Sequence, residues 1–544
     1  MNSRDDNYYD SRLQDIKLEE ITSSQRNIHV LEKFRRGDPD LTYLCVDVRW
    51  EDNDSDDDID DDEITYTADC EEGDDLGWLG YFIGRSEHLK TLYISDLPFT
   101  SADPHTEQLH AFTREMSRNR SIVDLTIQHD IKEIGFRNIC SFVGENNNLR
   151  RLELHHMKPG NESVKHFALM LEQRRCNSLQ KLSFADNEFE DAEIEVIAKA
   201  LREQASLEKL EFRENNYLDP AGCAALGTTL STWKASKLKI LNFWSACIDD
   251  AGLGGLVAGL VHCTKLEDLI LSYNSSITAV GLRSLAALFQ SEHCCLKRFR
   301  IDGVYFGDDG AIALADALVG NASLELMSLY IRPDYATDDN TFITEVGWSA
   351  FSKRFLCDTS SVTNTYLSNH TLGRVESDDR GIPPPCVGDY LDLNRCNHET
   401  IGGLGPYFAF FENALKFDGV NVVAVIKILT HHTDLEVESL FKWDLKCLPK
   451  LVEWFQMVNE DVVANLIEVR RQFEEYEAEA QRHGYMAKPF PRYANMVIEK
   501  SEALEFDNMK LSSIFKFVRA MPKLVVNSIR GKGKDESRKR KASD

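Results

Sequence analysis

A six-residue phrase recurs along this chain and limits what it can fold into more than any other feature. An apolar residue is followed by two others, a second apolar residue, one more, and a third apolar residue. Copies stand at Leu89-Lys-Thr-Leu92-Tyr-Ile94, Ile122-Val-Asp-Leu125-Thr-Ile127, Leu149-Arg-Arg-Leu152-Glu-Leu154, Leu179-Gln-Lys-Leu182-Ser-Phe184 and Leu207-Glu-Lys-Leu210-Glu-Phe212. They continue at Leu238-Lys-Ile-Leu241-Asn-Phe243, Leu266-Glu-Asp-Leu269-Ile-Leu271, Leu296-Lys-Arg-Phe299-Arg-Ile301 and Leu324-Glu-Leu-Met327-Ser-Leu329. Leu41-Thr-Tyr-Leu44-Cys-Val46 precedes the set, and Val362-Thr-Asn-Thr365-Tyr-Leu367 reads as a degenerate last copy. From Leu92 onward the steps between fourth positions are 33, 27, 30, 28, 31, 28, 30, 28 and 38, the last lengthened by a loop around Pro333 to Asn340. Each alternation fits a strand with one buried face. The stretches between carry helical period, as at Ile194, Ile197, Ala198 and Leu201 or Ile312, Leu314, Ala315 and Leu318, and many open on Asp or Gly. A doubly wound sheet does not repeat one phrase at near-constant spacing, whereas a stack of one supersecondary unit does.

Three copies extend to a full Leu-x-x-Leu-x-Leu-x-x-Asn pattern, at Leu179 to Asn187, Leu207 to Asn215 and Leu266 to Asn274. In this form the chain resembles leucine-rich repeats of the ribonuclease-inhibitor-like type, over about half its length or more. The resemblance implies an α/β solenoid, a horseshoe with parallel strands inside and helices outside, in which each repeat buries its leucines only against its neighbours. The repeats are assigned to residues 41–375, after an N-terminal helical cap over 1–40. Residues 376–398, with Pro383-Pro384-Pro385, read as a linker. Helix-period stripes at Leu404 to Lys416, Val420 to His431, Leu448 to Val458 and Val462 to Arg482 make 399–530 a helical C-terminal region, expected to cap an exposed apolar edge. Residues 531–544 read as a disordered basic tail.

Three further phrases are similar to those of uncharacterised diatom leucine-rich-repeat proteins: Asp75 to Ile83, Cys357 to Thr365 running into Ser368 to Leu372, and Trp443 to Trp454. That likeness implies the same architecture, with an N-terminal acidic insertion and a helical cap, and no chemistry.

The insertion, residues 51–74, carries the run Asp-Asn-Asp-Ser-Asp-Asp-Asp-Ile-Asp-Asp-Asp-Glu over 52–63 and lengthens the step from Leu44 to Leu92 to 48 residues. Asp52, Asp54, Asp56 and Glu63 match calcium-loop ligand positions, but Asp57 stands where that loop needs Gly, and a strand, not a helix, precedes it. It reads as a solvated acidic loop between strand and helix. A net charge of −28 argues against general nucleic-acid or anionic-membrane binding. No apolar h-region opens the chain and no apolar run reaches the ~20 residues of a membrane span. Thirteen scattered Cys without a CxxC suit reduced thiols of cytoplasm or nucleus. Cys386, Cys396 and His398 match no zinc module, and the pairs His155-His156 and His431-His432 are no natural two-ligand sites, so no metal or cofactor is expected.

No GxxxxGK[ST], HExxH, GxSxG or kinase signature occurs, and the chain reads as non-enzymatic. What remains is the concave face. Residues between the strand leucines point there, and the partner-binding candidates are Tyr93, Arg151, His155, Lys181, Lys209, Arg213, Trp244, Arg298, Arg300, Tyr330 and Tyr366. Trp244, Tyr330 and Tyr366 are large groups at positions that should be open, and Trp, Tyr and Arg are the usual hot-spot types. The arginines and lysines read as a basic stripe on an acidic protein, suited to an acidic protein partner. Arg538, Lys539, Arg540 and Lys541 fit a nuclear localisation signal read by an import receptor. The alternative is a GTPase-activating regulator of a Ran-like small GTPase, because Ran GTPase-activating proteins share this repeat type; none of their functional loop residues finds a matching motif here.

Overall fold

The computed structural model describes residues 8–48, 64–68, 75–95, 106–157, 160–172, 178–187, 189, 191–215, 218–233, 237–330, 342–361, 364–365, 368–377 and 384–395, together with Arg471 and Arg482. The chain divides into two units, Met1–Phe306 and Gly307–Asp544. The acidic run at 52–63, the tail residues Arg538 to Lys541 and, apart from Arg471 and Arg482, the region 399–530 lie outside the described residues.

In the first unit, helices α1 (Tyr8–Arg12) and α2 (Gln25–Arg36) lead into strands β1 (Tyr43–Val48) and β2 (Thr65–Ala68). Then α3 (Leu76–Arg85), α4 (Thr106–Met116), α5 (Lys132–Glu145), α6 (Asn161–Glu172), α7 (Asp191–Leu201), α8 (Pro220–Thr232) and α9 (Asp250–Leu260) alternate with strands. Those strands are β3 (Thr91–Ile94), β4 (Asp124–Ile127), β5 (Arg151–His155), β6 (Lys181–Ala185), β7 (Lys209–Arg213), β8 (Ile240–Asn242) and β9 (Asp268–Ile270). Two short helices, α10 (Ala279–Ser284) and α11 (Ala286–Phe289), lead to β10 (Arg298–Arg300). These strands pair in parallel, in the order β2-β1-β3 and then β4 to β10 in sequence. This is the α/β solenoid that the repeated phrase implies.

The register follows the phrase. Leu92, Leu125, Leu152, Leu182, Leu210, Leu241, Leu269 and Phe299 are paired strand to strand and buried. Each buried leucine contributes about 2 kcal/mol, and only against adjacent repeats. Phe184, Phe212 and Phe243, at the third apolar position, stack with centroids 5.5 and 6.1 Å apart.

Where β5, β6 and β8 end, buried asparagines of the following repeat satisfy the turning backbone. Asn187 donates to Leu154 O at 2.8 Å and accepts from Met157 N–H at 2.7 Å. Asn215 donates to Phe184 O at 3.1 Å. Asn274 donates to Phe243 O and accepts from the N–H groups of Ala246 and Ile248. A second, less regular set works where strands begin: Asn119, Asn146 and Gln204 donate to Ile83 O, Ile122 O and Leu171 O. One residue past β5, β6 and β7, and three past the shorter β8, β9 and β10, the chain turns left-handed, at His156, Asp186, Glu214, Ser245, Tyr273 and Gly303, with φ between 50° and 66°.

The insertion holds more than a loop. β2 lies within it and pairs with β1 on the side away from β3, with Tyr66 buried opposite Val46. Asn27 of α2 closes the outer edge of β2: it donates to Thr67 O at 2.6 Å and accepts from Thr67 N–H at 3.0 Å. An edge strand otherwise offers such groups to another chain. Nearby, Tyr9 and Trp78 pack edge to face at 4.9 Å.

The helices are tied by a repeated device. Asp250 of α9 accepts at Oδ1 from Thr278 N–H (2.7 Å) and Gly281 N–H (2.8 Å), and at Oδ2 from the Thr278 hydroxyl (2.6 Å). In the second unit Asp308 of α12 (Gly307–Ala317) does the same for Thr344 and Gly347 at 2.8, 3.0 and 2.7 Å, closing the start of α13 (Glu345–Phe351).

The second unit also carries β11 (Leu326–Ser328), paired in parallel with β12 (Arg374–Glu376), and a helix over Pro385–Arg395. Here the expected last copy fails. Asn364 and Thr365 are helical, and Thr365 is buried, its hydroxyl donating to Asp358 O at 2.7 Å. The strand is built instead from Leu372-Gly-Arg-Val375, with Val375 in register with Met327. Val362 to Leu367 imitates the apolar pattern but has a threonine at the fourth position, where the neighbouring strand demands an apolar side chain.

Candidate functional site

The face of the first unit's sheet turned away from its helices is organised in rows by the strand register. One row runs Asp124, Arg151, Lys181, Lys209, Ile240, Asp268, Arg298, and the next Thr126, Glu153, Ser183, Glu211, Asn242, Ile270, Arg300. Backbone bonds from Glu214 N–H to Trp244 O, Ser245 N–H to Ser272 O and Tyr273 N–H to Asp302 O carry the pairing past the strand ends. The third row is therefore His155, Ala185, Arg213, Trp244, Ser272, Asp302.

The basic stripe does not stand as a stripe of free charge. Arg151 Nη1 is 3.0 Å from Asp124 Oδ2, and Lys181 Nζ lies 2.5 Å from Glu153 Oε1 and 3.3 Å from Glu211 Oε2. Lys209 Nζ is 3.2 Å from Glu211 Oε1, and Arg298 holds Asp268 in a two-pronged pair. Four of the six cations are thus neutralised by carboxylates on the same or an adjacent strand. The neighbouring His155, with Nε2 3.6 Å from Oε2, and then Lys181 hold the Glu153 carboxyl down to about 2, against the opposing effect of burial. Burial also works to raise Glu211, but the Asn242 amide at 2.9 Å, Lys181, Lys209 and Arg213 outweigh it and leave its pKa lowered.

Arg213 and Arg300 differ from the other four. Among the described residues neither makes a side-chain hydrogen bond or ion pair, and Arg213 Nε is buried without a partner. Arg300 is exposed. Between them, on β8 and β9, apolar and aromatic groups alternate with Asn242, Asp268 and Ser272, whose polar groups are buried. Ile240 and Ile270 are half-buried there, and Trp244 meets Tyr273 with ring centroids 5.0 Å apart at 59°. Tyr273 is 38% exposed despite its size. Its ring lies against Gly303, where a Cβ would stand 2.7 Å from Tyr273 Cδ1, so glycine is required both for this contact and for its φ of +66°.

The remaining candidates scatter. His155 is buried, and Tyr93 is half-buried on β3 with its hydroxyl pKa raised by burial and then by Cys45 and Asp47. Tyr330 is half-buried after β11 in the second unit. Tyr366 lies outside the described residues, and the strand expected to carry it is not formed at Asn364 and Thr365. Tyr273 was not among the sequence candidates. Its signal was available: it occupies the turn position held by Asp186 and Glu214 in other repeats, where an aromatic side chain stands out. Among the described residues no cluster of His, Cys, Asp and Glu could hold a metal ion, and no helix is long and apolar enough to cross a membrane.

Known proteins give the pattern a context. The family model described as Leucine Rich repeat matches residues 262–286. Ribonuclease inhibitor of Sus scrofa is 29% identical over 203 residues, which cover 37% of this chain and 43% of the inhibitor. The NACHT, LRR and PYD domains-containing protein 13 of Homo sapiens is 26% identical over 333 residues, 61% of this chain and 28% of that protein. The chain thus spans less than half the length of these relatives. Among solved structures, a chain from "Crystal structure of Rad7 and Elc1 complex in yeast" aligns with a TM-score of 0.30 and 13% identity, covering 55% of this chain and 79% of that one. A superposition that loose has no bearing on function.

Proposed function

We propose that this chain, a leucine-rich-repeat protein of the ribonuclease-inhibitor-like type, is a non-catalytic scaffold that docks a partner protein on the helix-free face of its sheet. The observation that carries this reading is the Trp244–Tyr273 pair, exposed in part on an apolar floor and bordered by Arg213 and Arg300. Binding energy at protein interfaces concentrates in such aromatic and arginine anchors, with polar surroundings that exclude water. The paired charges on β4 to β7 would then set orientation and exclude wrong partners more than add affinity. The pig relative is named for inhibiting a ribonuclease, which accords with a protein that acts on another protein. The run Arg538 to Lys541 is proposed as a separate contact for an import receptor.

The test compares proteins retained by the wild-type chain with those retained by Trp244→Ala and Tyr273→Ala, after thermal melts show both variants folded. Partners retained by the wild type and lost from both variants support the reading. An unchanged set refutes it.

A further inference from the structure

We propose that the segment received by this face is an extended, acidic one, in which two carboxylates four residues apart flank an apolar side chain midway. The inference rests on the docking reading above and adds the chemistry and spacing of the partner. It follows from which cations are uncommitted. Arg151, Lys181, Lys209 and Arg298 already face carboxylates of their own chain, so a partner gains little from them. Among the described residues neither Arg213 nor Arg300 has a carboxylate within ion-pair distance, and Arg213 acts on Glu211 only at longer range, in a chain whose net charge is −28. Two guanidinium groups without a close carboxylate among the described residues can each take one from a partner in a charge-assisted pair.

Their placement sets the spacing. Arg213 is on β7 and Arg300 on β10, three strand intervals apart, or about 14 Å at ~4.8 Å per interval. An extended segment crossing the strands advances ~3.4 Å per residue, so residues i and i+4 span about 14 Å. Residues i, i+2 and i+4 share one side of such a segment. Residue i+2 then falls over β8 and β9, where Trp244 and Ile270 form the floor. The one-row offset between the two arginines is within the swing of an arginine side chain. A helix does not meet the same demand. At ~1.5 Å per residue it needs about nine residues for that span, and nine residues at 3.6 per turn bring the second carboxylate to the opposite side. A nucleic-acid backbone fails for another reason: it needs contiguous cations, and here the two are divided by an apolar floor.

The experiment pans a displayed library of random twelve-residue peptides against the full chain. It then measures a synthetic peptide with a Glu-Ser-Leu-Ser-Glu core by fluorescence polarisation. Selection should enrich acidic residues at i and i+4 with an apolar residue at i+2. Arg213→Ala and Arg300→Ala should each weaken the peptide about tenfold, and moving one Glu by a single position should do the same. Arg300→Glu should recover affinity for the peptide whose matching Glu is replaced by Lys. Peptides that depend on Trp244 but ignore Arg213, Arg300 and the carboxylate spacing would overturn this inference and leave the docking reading standing. Peptides indifferent to Trp244 as well, or no enrichment over a blank surface, would overturn both.

Discussion

Replacing Gly281 by Ala should destabilise the protein, although helix propensity alone favours alanine by about 1 kcal/mol. The reason is the carboxylate of Asp250. A Cβ at position 281 would stand 2.4 Å from Asp250 Oδ1 and 3.3 Å from its Cα, so the side chain must leave. It takes with it three bonds, to Thr278 N–H, Gly281 N–H and the Thr278 hydroxyl. These bonds are exposed in part, and the Thr278 hydroxyl still accepts from Val280 N–H at 3.1 Å. A loss of about 2 to 3 kcal/mol is therefore the working figure, at the upper end for a helix cap and below that for three fully buried charge-assisted bonds. Net of propensity, Gly281→Ala should cost roughly 1 to 2 kcal/mol in urea unfolding. Asp250→Ala should cost about 2 to 3 kcal/mol. The double variant should be no less stable than Asp250→Ala, because the added methyl then has room. Additive costs, or a Gly281→Ala protein more stable than wild type, would refute the reasoning. Asp308 and Gly347 repeat the arrangement in the second unit, with a Cβ distance of 2.5 Å, but there a Cβ also meets Ile343 Cγ2 at 2.8 Å, so Asp308→Ala should not make room for Gly347→Ala.

Two further outcomes are expected. Glu153, with a folded pKa of about 2 against an ordinary 4.5, contributes stability that is present above pH 4.5 and lost as pH falls toward 2. Lys181→Met should therefore cost about 1 kcal/mol at pH 7, since Lys181 comes after His155 in lowering Glu153 and solvent screens a carboxylate that is only partly buried. The gap should narrow on acidification below pH 4.5, and an equal loss in urea melts at pH 7 and pH 3 would assign Lys181 to packing instead. Asn27→Ala should remove both bonds to Thr67, cost about 1 to 2 kcal/mol, and cause concentration-dependent association visible by light scattering.

Most of the fold was legible because one phrase states it repeatedly. Leu92 to Phe299 mark the strands, and Asn187, Asn215 and Asn274 mark strand ends, since an asparagine there has a backbone to satisfy in the preceding repeat. β2 was not legible: Thr65-Tyr-Thr-Ala68 has a single large apolar residue and stands beside a run of aspartates. The left-handed column was hidden for a different reason, since His156, Asp186, Glu214, Ser245 and Tyr273 hold positive φ without being glycine. The site was half legible. Trp244 and the arginines stand at inward positions that alternation alone identifies. Which cations are neutralised depends largely on partners in the neighbouring repeat, as for Arg151 with Asp124 and Arg298 with Asp268, and on rotamers that no spacing rule reports.

The place of β2 has a consequence for how this chain can vary. Because it joins the sheet outside β1 and not between β1 and β3, the β1–β3 pairing and the ladder beyond it hold whatever length of chain connects β1 to β2. Lengthening or shortening that connection shifts the phase of no leucine, and its entropic cost changes by only about 0.6 kcal/mol for each doubling of length. Selection can tune its charge and extent as a dial, while the solenoid keeps its register.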